Sequence, residues 1–123
     1  MLSSREIDMT AEKFRQMALA LPEAVEKAHM GHPDFRVAGK IFATLWADDE
    51  HGMVKLTPIQ QVRFVTDDPD VFEPVNGAWG RQGATKVTLR TATVPLLRKA
   101  LVAAWYNIAP KQLARTAGPE EPT

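Results

Sequence analysis

The sequence predicts an α+β fold, a two-layer α/β sandwich in which an antiparallel sheet carries helices on one face in the order helix, strands, helix, strands, helix. Three observations predict it. Apolar residues recur at helical spacing near both ends of the chain and once in the middle. Between those segments the period falls to two, and Gly, Pro, Asn and Asp collect at the joints rather than inside the segments. The 123 residues suit one domain, which would bury roughly two-thirds of the surface its unfolded chain exposes. No repeat or linker divides the chain, so one domain is expected over residues 10–115, with a flexible extension at 1–9 and a disordered tail at 116–123.

The first helix is read from Phe14, Met17, Ala18 and Leu21, spaced i, i+3, i+4 and i+7, with Thr10 as its N-cap and Pro22 as its stop. From Ala24 to His29 the residues alternate, and Gly31-His32-Pro33 reads as a turn. Phe35-Arg36-Val37 and the run Ile41 to Trp46 flank Ala38-Gly39, a hairpin in which glycine supplies a positive φ. Asp48 to Gly52 forms a second polar turn before Met53-Val54-Lys55-Leu56, completing an antiparallel meander.

Thr57-Pro58-Ile59-Gln60 combines an N-cap, a proline at the first helical position and a capping-box glutamine. The helix it starts is expected to bury Ile59, Val62 and Val65 and to stop at Asp67-Asp68-Pro69. Residues 70–83 are rich in turn formers and predict a short strand or loop. Ala84 to Arg90 alternates as an amphipathic strand with Thr85, Val87 and Leu89 on one face and Lys86, Thr88 and Arg90 on the other. A last helix is capped by Thr93, buries Leu97, Leu101, Ala104, Trp105 and Ile108, and ends at Pro110.

Composition excludes several chemistries. There is no cysteine, which removes disulfides, thiolate catalysis and cysteine-ligated metals. The first residues lack a basic start followed by an apolar run, and no apolar stretch approaches the ~20 residues of a membrane span, so a cytoplasmic protein without membrane contact is expected. Lys and Arg, 15 in all, balance 15 Asp and Glu. The balance is uneven along the chain, because residues 74–119 carry seven basic side chains and no acid. Such a segment makes a positive surface only if the fold gathers it on one side; otherwise its charges are solvated or pair with the acidic half.

Several ordered motifs resemble the MmcQ/YjbR-like family of small bacterial proteins. They are Leu21-Pro22-Glu23, His29 to Val37, Gly39 to Leu45, Trp79-Gly80 with Gly83-Ala84-Thr85, and Ala104-Trp105 with Ala109-Pro110. The resemblance spans about residues 10–113. It implies a two-layer sandwich similar to secretion chaperones, and the family's usual label, DNA-binding. It carries no catalytic or base-reading residues that could be transferred to positions here.

A sheet covered on one side leaves its other face for a partner. With Val37, Ile41, Leu45, Val54, Leu56, Val87 and Leu89 toward the helices, Arg36, Phe42, Trp46, Lys55, Lys86 and Arg90 are expected outward. Cations with aromatic rings suit a nucleic-acid strand, an acidic protein or a dimer interface, while Phe42 and Trp46 would equally fit a second small core. The candidate partner-binding residues are therefore Arg36, Lys40, Trp46, Lys55, Arg81, Lys86 and Arg90. His29, His32 and His51 lack the spacing of a metal site, since residues three apart on one strand point to opposite faces, and Asp48-Asp49-Glu50 lacks that of a calcium loop. The glycines of residues 77–83 match no phosphate-binding motif, and the only serines, Ser3 and Ser4, fall in the extension, so no metal, cofactor or catalytic residue is assigned.

The expectation is a non-enzymatic binding protein that contacts DNA through its basic C-terminal half and outer sheet face. The alternative is a protein-interaction or chaperone-like module that dimerises or holds a peptide on that face. A third reading places a small-molecule pocket near Trp79, Arg81 and His32.

Overall fold

The computed structural model describes residues 9–29 and 31–120. The flexibility expected of residues 1–8 and 121–123, and the side chain of His29, lie outside the described residues. Among the described residues, six strands and five helices follow one another as α1 (Ala11–Leu19), β1 (Val25–His29), β2 (His32–Val37), β3 (Lys40–Leu45), β4 (His51–Lys55), α2 (Pro58–Asp67), β5 (Phe72–Pro74), α3 (Ala78–Arg81), β6 (Ala84–Thr88), α4 (Val94–Ile108) and α5 (Lys111–Ala117). A 3-10 turn, Leu89–Thr91, joins β6 to α4. All strand pairs are antiparallel, and the spatial order is β1-β2-β3-β4-β6-β5. The meander of the first four strands is thus extended by β6, with β5 returning to the edge. This is the α+β sandwich the sequence predicts.

The main core lies between the sheet and helices α1 and α4. Phe14 and Ala18 of α1 and Leu97, Leu101, Ala104 and Trp105 of α4 meet Phe35, Val37, Leu45, Val54 and Val87 of the sheet. Trp105 is wholly buried, and its Nε1 donates to the Pro22 carbonyl at 2.9 Å, tying α4 to the link between α1 and β1. Burying the ring while pairing its one polar atom removes the cost of an orphaned donor. The hairpin between β2 and β3 turns on Ala38 and Gly39, both with positive φ (52° and 80°), the paired left-handed conformation that two-residue hairpins require.

Four sequence expectations need correction. The first concerns β3. Phe35 opposes Ala43 while Arg36 opposes Ile41, so Phe42 is one residue more than β2 can pair, a β-bulge. The bulge reverses the alternation across it: Phe42, expected outward, is wholly buried in the main core, and Ile41, expected toward the helices, lines the outer face. Second, His32 and Pro33 do not form a turn but begin β2, and His32 is the register partner of His29 across the hairpin. They are therefore not two positions of one strand, which removes the premise behind reading them as pointing apart.

Third, α2 buries only part of its expected stripe: Val65 packs, partly buried, against the main core. Ile59 and Val62 are 76% and 63% exposed, whereas Gln61 is buried. Its carboxamide Nε2 lies 2.9 Å from the Gly80 carbonyl, 3.0 Å from that of Ala84 and 3.3 Å from Thr85 Oγ1. A buried carboxamide whose two N–H groups are shared among three acceptors outweighs the modest gain from covering two aliphatic side chains. Fourth, β6 stops at Thr88, and Arg90 belongs to the 3-10 turn. Thr85, Val87 and Leu89 are nevertheless buried, as the alternation predicts.

Two further elements carry weak sequence signals. Residues 70–83 yield both the short strand β5 and the four-residue helix α3. Pro110 precedes a further helix, α5, which runs past position 116, and the Tyr106 hydroxyl donates to the Pro119 carbonyl.

Candidate functional site

Outside the main core, the outer face of the sheet carries a groove of about 430 Å³. The bulge sets its first floor residue, because Ile41 and Thr44 now stand on the same side of β3. Met53 of β4, opposite Thr44, supplies the next and is only 4% exposed although it takes no part in the main core. Its burial comes from what surrounds it on this face. Trp46, just beyond β3, forms one wall; Val75 and Trp79, from the link after β5 and from α3, complete the lining.

The position of Trp79 depends on a glycine. At Gly80 a Cβ would lie 1.6 Å from the Val75 carbonyl oxygen, so only glycine lets α3 press against this link. Trp79 itself is 67% exposed. A single exposed apolar residue is ordinary, but this one continues a concave apolar surface rather than standing alone.

Polar groups complete the lining: His32, Asp34 and Lys55. Asp34 is buried, and its carboxylate accepts from Arg36 Nε at 2.8 Å and Nη2 at 3.1 Å. The two residues stand two apart on β2 and hence on the same face, which allows the two-pronged pairing. That hydrogen bonding raises the Arg36 pKa further above its already high ordinary value. Lys86 sits with its Nζ 5.2 Å from the Trp46 ring centroid and 3.5 Å from Glu73 Oε1. His51 packs at 5.7 Å from the Trp46 ring and bonds through Nδ1 to Asp48 Oδ2 at 2.7 Å. Trp46 is thereby held from two sides. No ion pair of Lys55 occurs among the described residues; its backbone carbonyl accepts from Asn107 Nδ2 at 3.0 Å.

Of the partner-binding candidates, Trp46 and Lys55 line the groove, and Arg36 and Lys86 adjoin it through Asp34 and Trp46. Three stand elsewhere. Lys40 is exposed beside the hairpin turn, and Arg81, the last residue of α3, is exposed without lining the groove. Arg90 lies in a separate depression with Met9, Glu12, Asp49 and Glu50. The acid-free segment is likewise dispersed: Lys86 is on the outer face, while Arg98 and Lys99 belong to α4 in the helical layer. Among the described residues no group of three or more His, Asp or Glu side chains could hold a metal ion.

Sequence reading missed Ile41, Thr44, Met53 and Val75. Met53 was legible, since period two places it on the same face as Lys55. Ile41 was hidden by the bulge, and Val75 by a link whose path no periodicity encodes. Trp79 and His32 do share a pocket, as the third reading expects, but without Arg81.

The layered sheet, one face sealed by helices and the other bearing this groove, defines a small α+β sandwich with an open sheet face. The chain belongs to the YjbR family, whose model matches residues 19–107. The fold is similar to that of the Deinococcus radiodurans protein DR2400, a DUF419 domain, with a TM-score of 0.72 at 18% identity over 93% of this chain and 92% of that one. No curated protein matches the chain.

Proposed function

We propose that this chain is a non-catalytic binding protein and that the groove on its outer sheet face is its ligand site. The observation carrying this reading is Met53: a side chain outside the main core that is nonetheless buried, at the floor of an apolar depression walled by two tryptophans. A depression of this size falls within the ~300–1,000 Å³ of small-molecule sites, and apolar walls with a few polar groups are their usual make-up.

The DNA reading draws support from the cations near the groove, Lys55, Lys86 and Arg36, and from the aromatic rings among them. Two of those cations already face carboxylates, Arg36 on Asp34 and Lys86 beside Glu73, which favours a compact ligand over a run of phosphates.

Intrinsic fluorescence separates the readings, because two of the three tryptophans line the groove and Trp105 is sealed in the core. Titration with anilinonaphthalene sulfonate should quench Trp46 and Trp79 saturably. Met53→Lys, which places a charge on the groove floor, should abolish the response. A quench that survives M53K would reject the groove as the site. Duplex DNA that binds at low salt and is released steeply as salt rises would instead support the phosphate-driven reading.

A further inference from the structure

We infer that the groove selects a flat aromatic anion, a ring system of about two fused rings bearing one carboxylate, with the ring against Trp46 and Trp79 and the carboxylate at Lys55. This inference rests on the proposed role of the groove as a ligand site and specifies what enters it.

Shape comes first. The volume of about 430 Å³ lies at the small end of the ~300–1,000 Å³ range, enough for a bicyclic ring and too little for a peptide helix. The residues at the walls are two indoles, with Ile41, Met53 and Val75 between them. Indole faces favour flat π systems in offset or edge-on contact, and methionine sulfur adds contact with ring edges.

Charge then decides the substituent. Three titratable side chains face the groove: His32, Asp34 and Lys55. The Asp34 carboxylate is occupied on both oxygens by Arg36, so it presents no free anion to a ligand and leaves the pair neutral. Lys55 has no ion pair among the described residues, and Lys86, which lies over the Trp46 ring, is engaged by Glu73 and the ring. The wall therefore carries a net positive charge at Lys55. A ligand without an anion would leave that ammonium beside an apolar ring; a ligand with one pairs it. A second cation on a ligand would be repelled.

The test uses the full chain and two probes of equal ring size, 2-naphthoate and 2-naphthalenemethanol, followed by calorimetry and tryptophan fluorescence. The naphthoate should bind more tightly than the alcohol by up to about fivefold, the upper end of what a solvent-exposed ion pair contributes. Lys55→Met, which keeps the aliphatic stem, should remove that preference by weakening the naphthoate while leaving the alcohol unchanged. Trp79→Ala should weaken both probes together. Equal binding of the two probes, or a preference untouched by K55M, would overturn the anion selectivity while leaving the groove reading intact. Binding of neither probe would defeat the groove reading itself. Displacement of 2-naphthoate by a short oligothymidylate at lower concentration than by free naphthoate would replace the small aromatic acid with a nucleic-acid strand.

Discussion

At the scale of single residues, the side chains that matter most are polar atoms with no alternative to the partners they have. Gln61 illustrates this. Its carboxamide serves two carbonyls and a hydroxyl that join α2 to the turn between α3 and β6. Gln61→Leu keeps the volume and removes those bonds but leaves the Gly80 and Ala84 carbonyls their backbone donors, Gly83 N and Val75 N, each at 3.0 Å, and should cost about 0.5–1.5 kcal/mol, read as a lower urea midpoint with unchanged slope. Thr85 keeps its own hydroxyl bond to the Gly83 carbonyl at 2.8 Å, so the loss should not extend to β6 itself.

Asp48 gives a second residue-level prediction, with a defined sign. Its carboxylate accepts from the backbone N–H of Glu50 at 2.9 Å and from the His51 ring and backbone. The Glu50 backbone bond first, then the His51 side chain, hold the Asp48 carboxyl below the usual aspartate range. A carboxyl whose folded value is depressed stabilises the fold above its unfolded value, and that contribution fades as pH falls through the folded one. Asp48→Asn should therefore be less stable than the parent near neutrality, with the difference shrinking toward zero in the acid range. A difference independent of pH, measured as denaturation midpoints across an acid series, would contradict this.

Among the elements, α2 and β3 show where sequence patterns stop being informative. The signal that starts α2 is strong and correct: Thr57 Oγ1 accepts from Gln60 N at 3.1 Å and Gln60 Oε1 accepts from Thr57 N at 2.9 Å, a complete capping box. Thr57→Ala should destabilise the fold by about 1 kcal/mol. Which side of α2 turns inward was not legible, because Gln61, whose partners come from residues 80–85, takes the inward position with Phe64 and Val65 and leaves Ile59 and Val62 outside. The exposed pair yields a clear expectation: Ile59→Lys and Val62→Glu should each change stability by no more than about 0.5 kcal/mol. A larger loss would restore the stripe. In β3 both faces are apolar, so alternation had no purchase, and only pairing with β2 reveals the extra residue. By contrast β6, polar on one side and apolar on the other, was read correctly as far as Thr88.

For the molecule as a whole, fold class and layer order were written in short-range signals: caps, turn residues and the two periods. The site was only half legible, since it is assembled from β2, β3, β4 and the segment after β5, and the distances between those elements have no local signature. The same separation links the two ends of the chain. Trp105, in α4, bonds to the carbonyl of Pro22 across 83 residues of sequence. Trp105→Phe should lower the melting temperature through the orphaned carbonyl and the lost ring volume together, about 2 kcal/mol in all. Because Trp105 is remote from the outer-face lining, the variant should retain its binding to 2-naphthoate below its melting point. Among the described residues no helix is long and apolar enough to cross a membrane.

The extra residue in β3 has a further consequence. A strand that gains one position bends and twists more strongly there, and Ile41 and Thr44, which bracket the insertion, both border the depression. Concavity at this surface is thus governed by how many residues β3 contains, more than by which ones. Substitutions along the rim would retune what fits, whereas removing Phe42 would straighten β3 and flatten the receptacle while leaving Ile41 opposite Arg36 on the outer face.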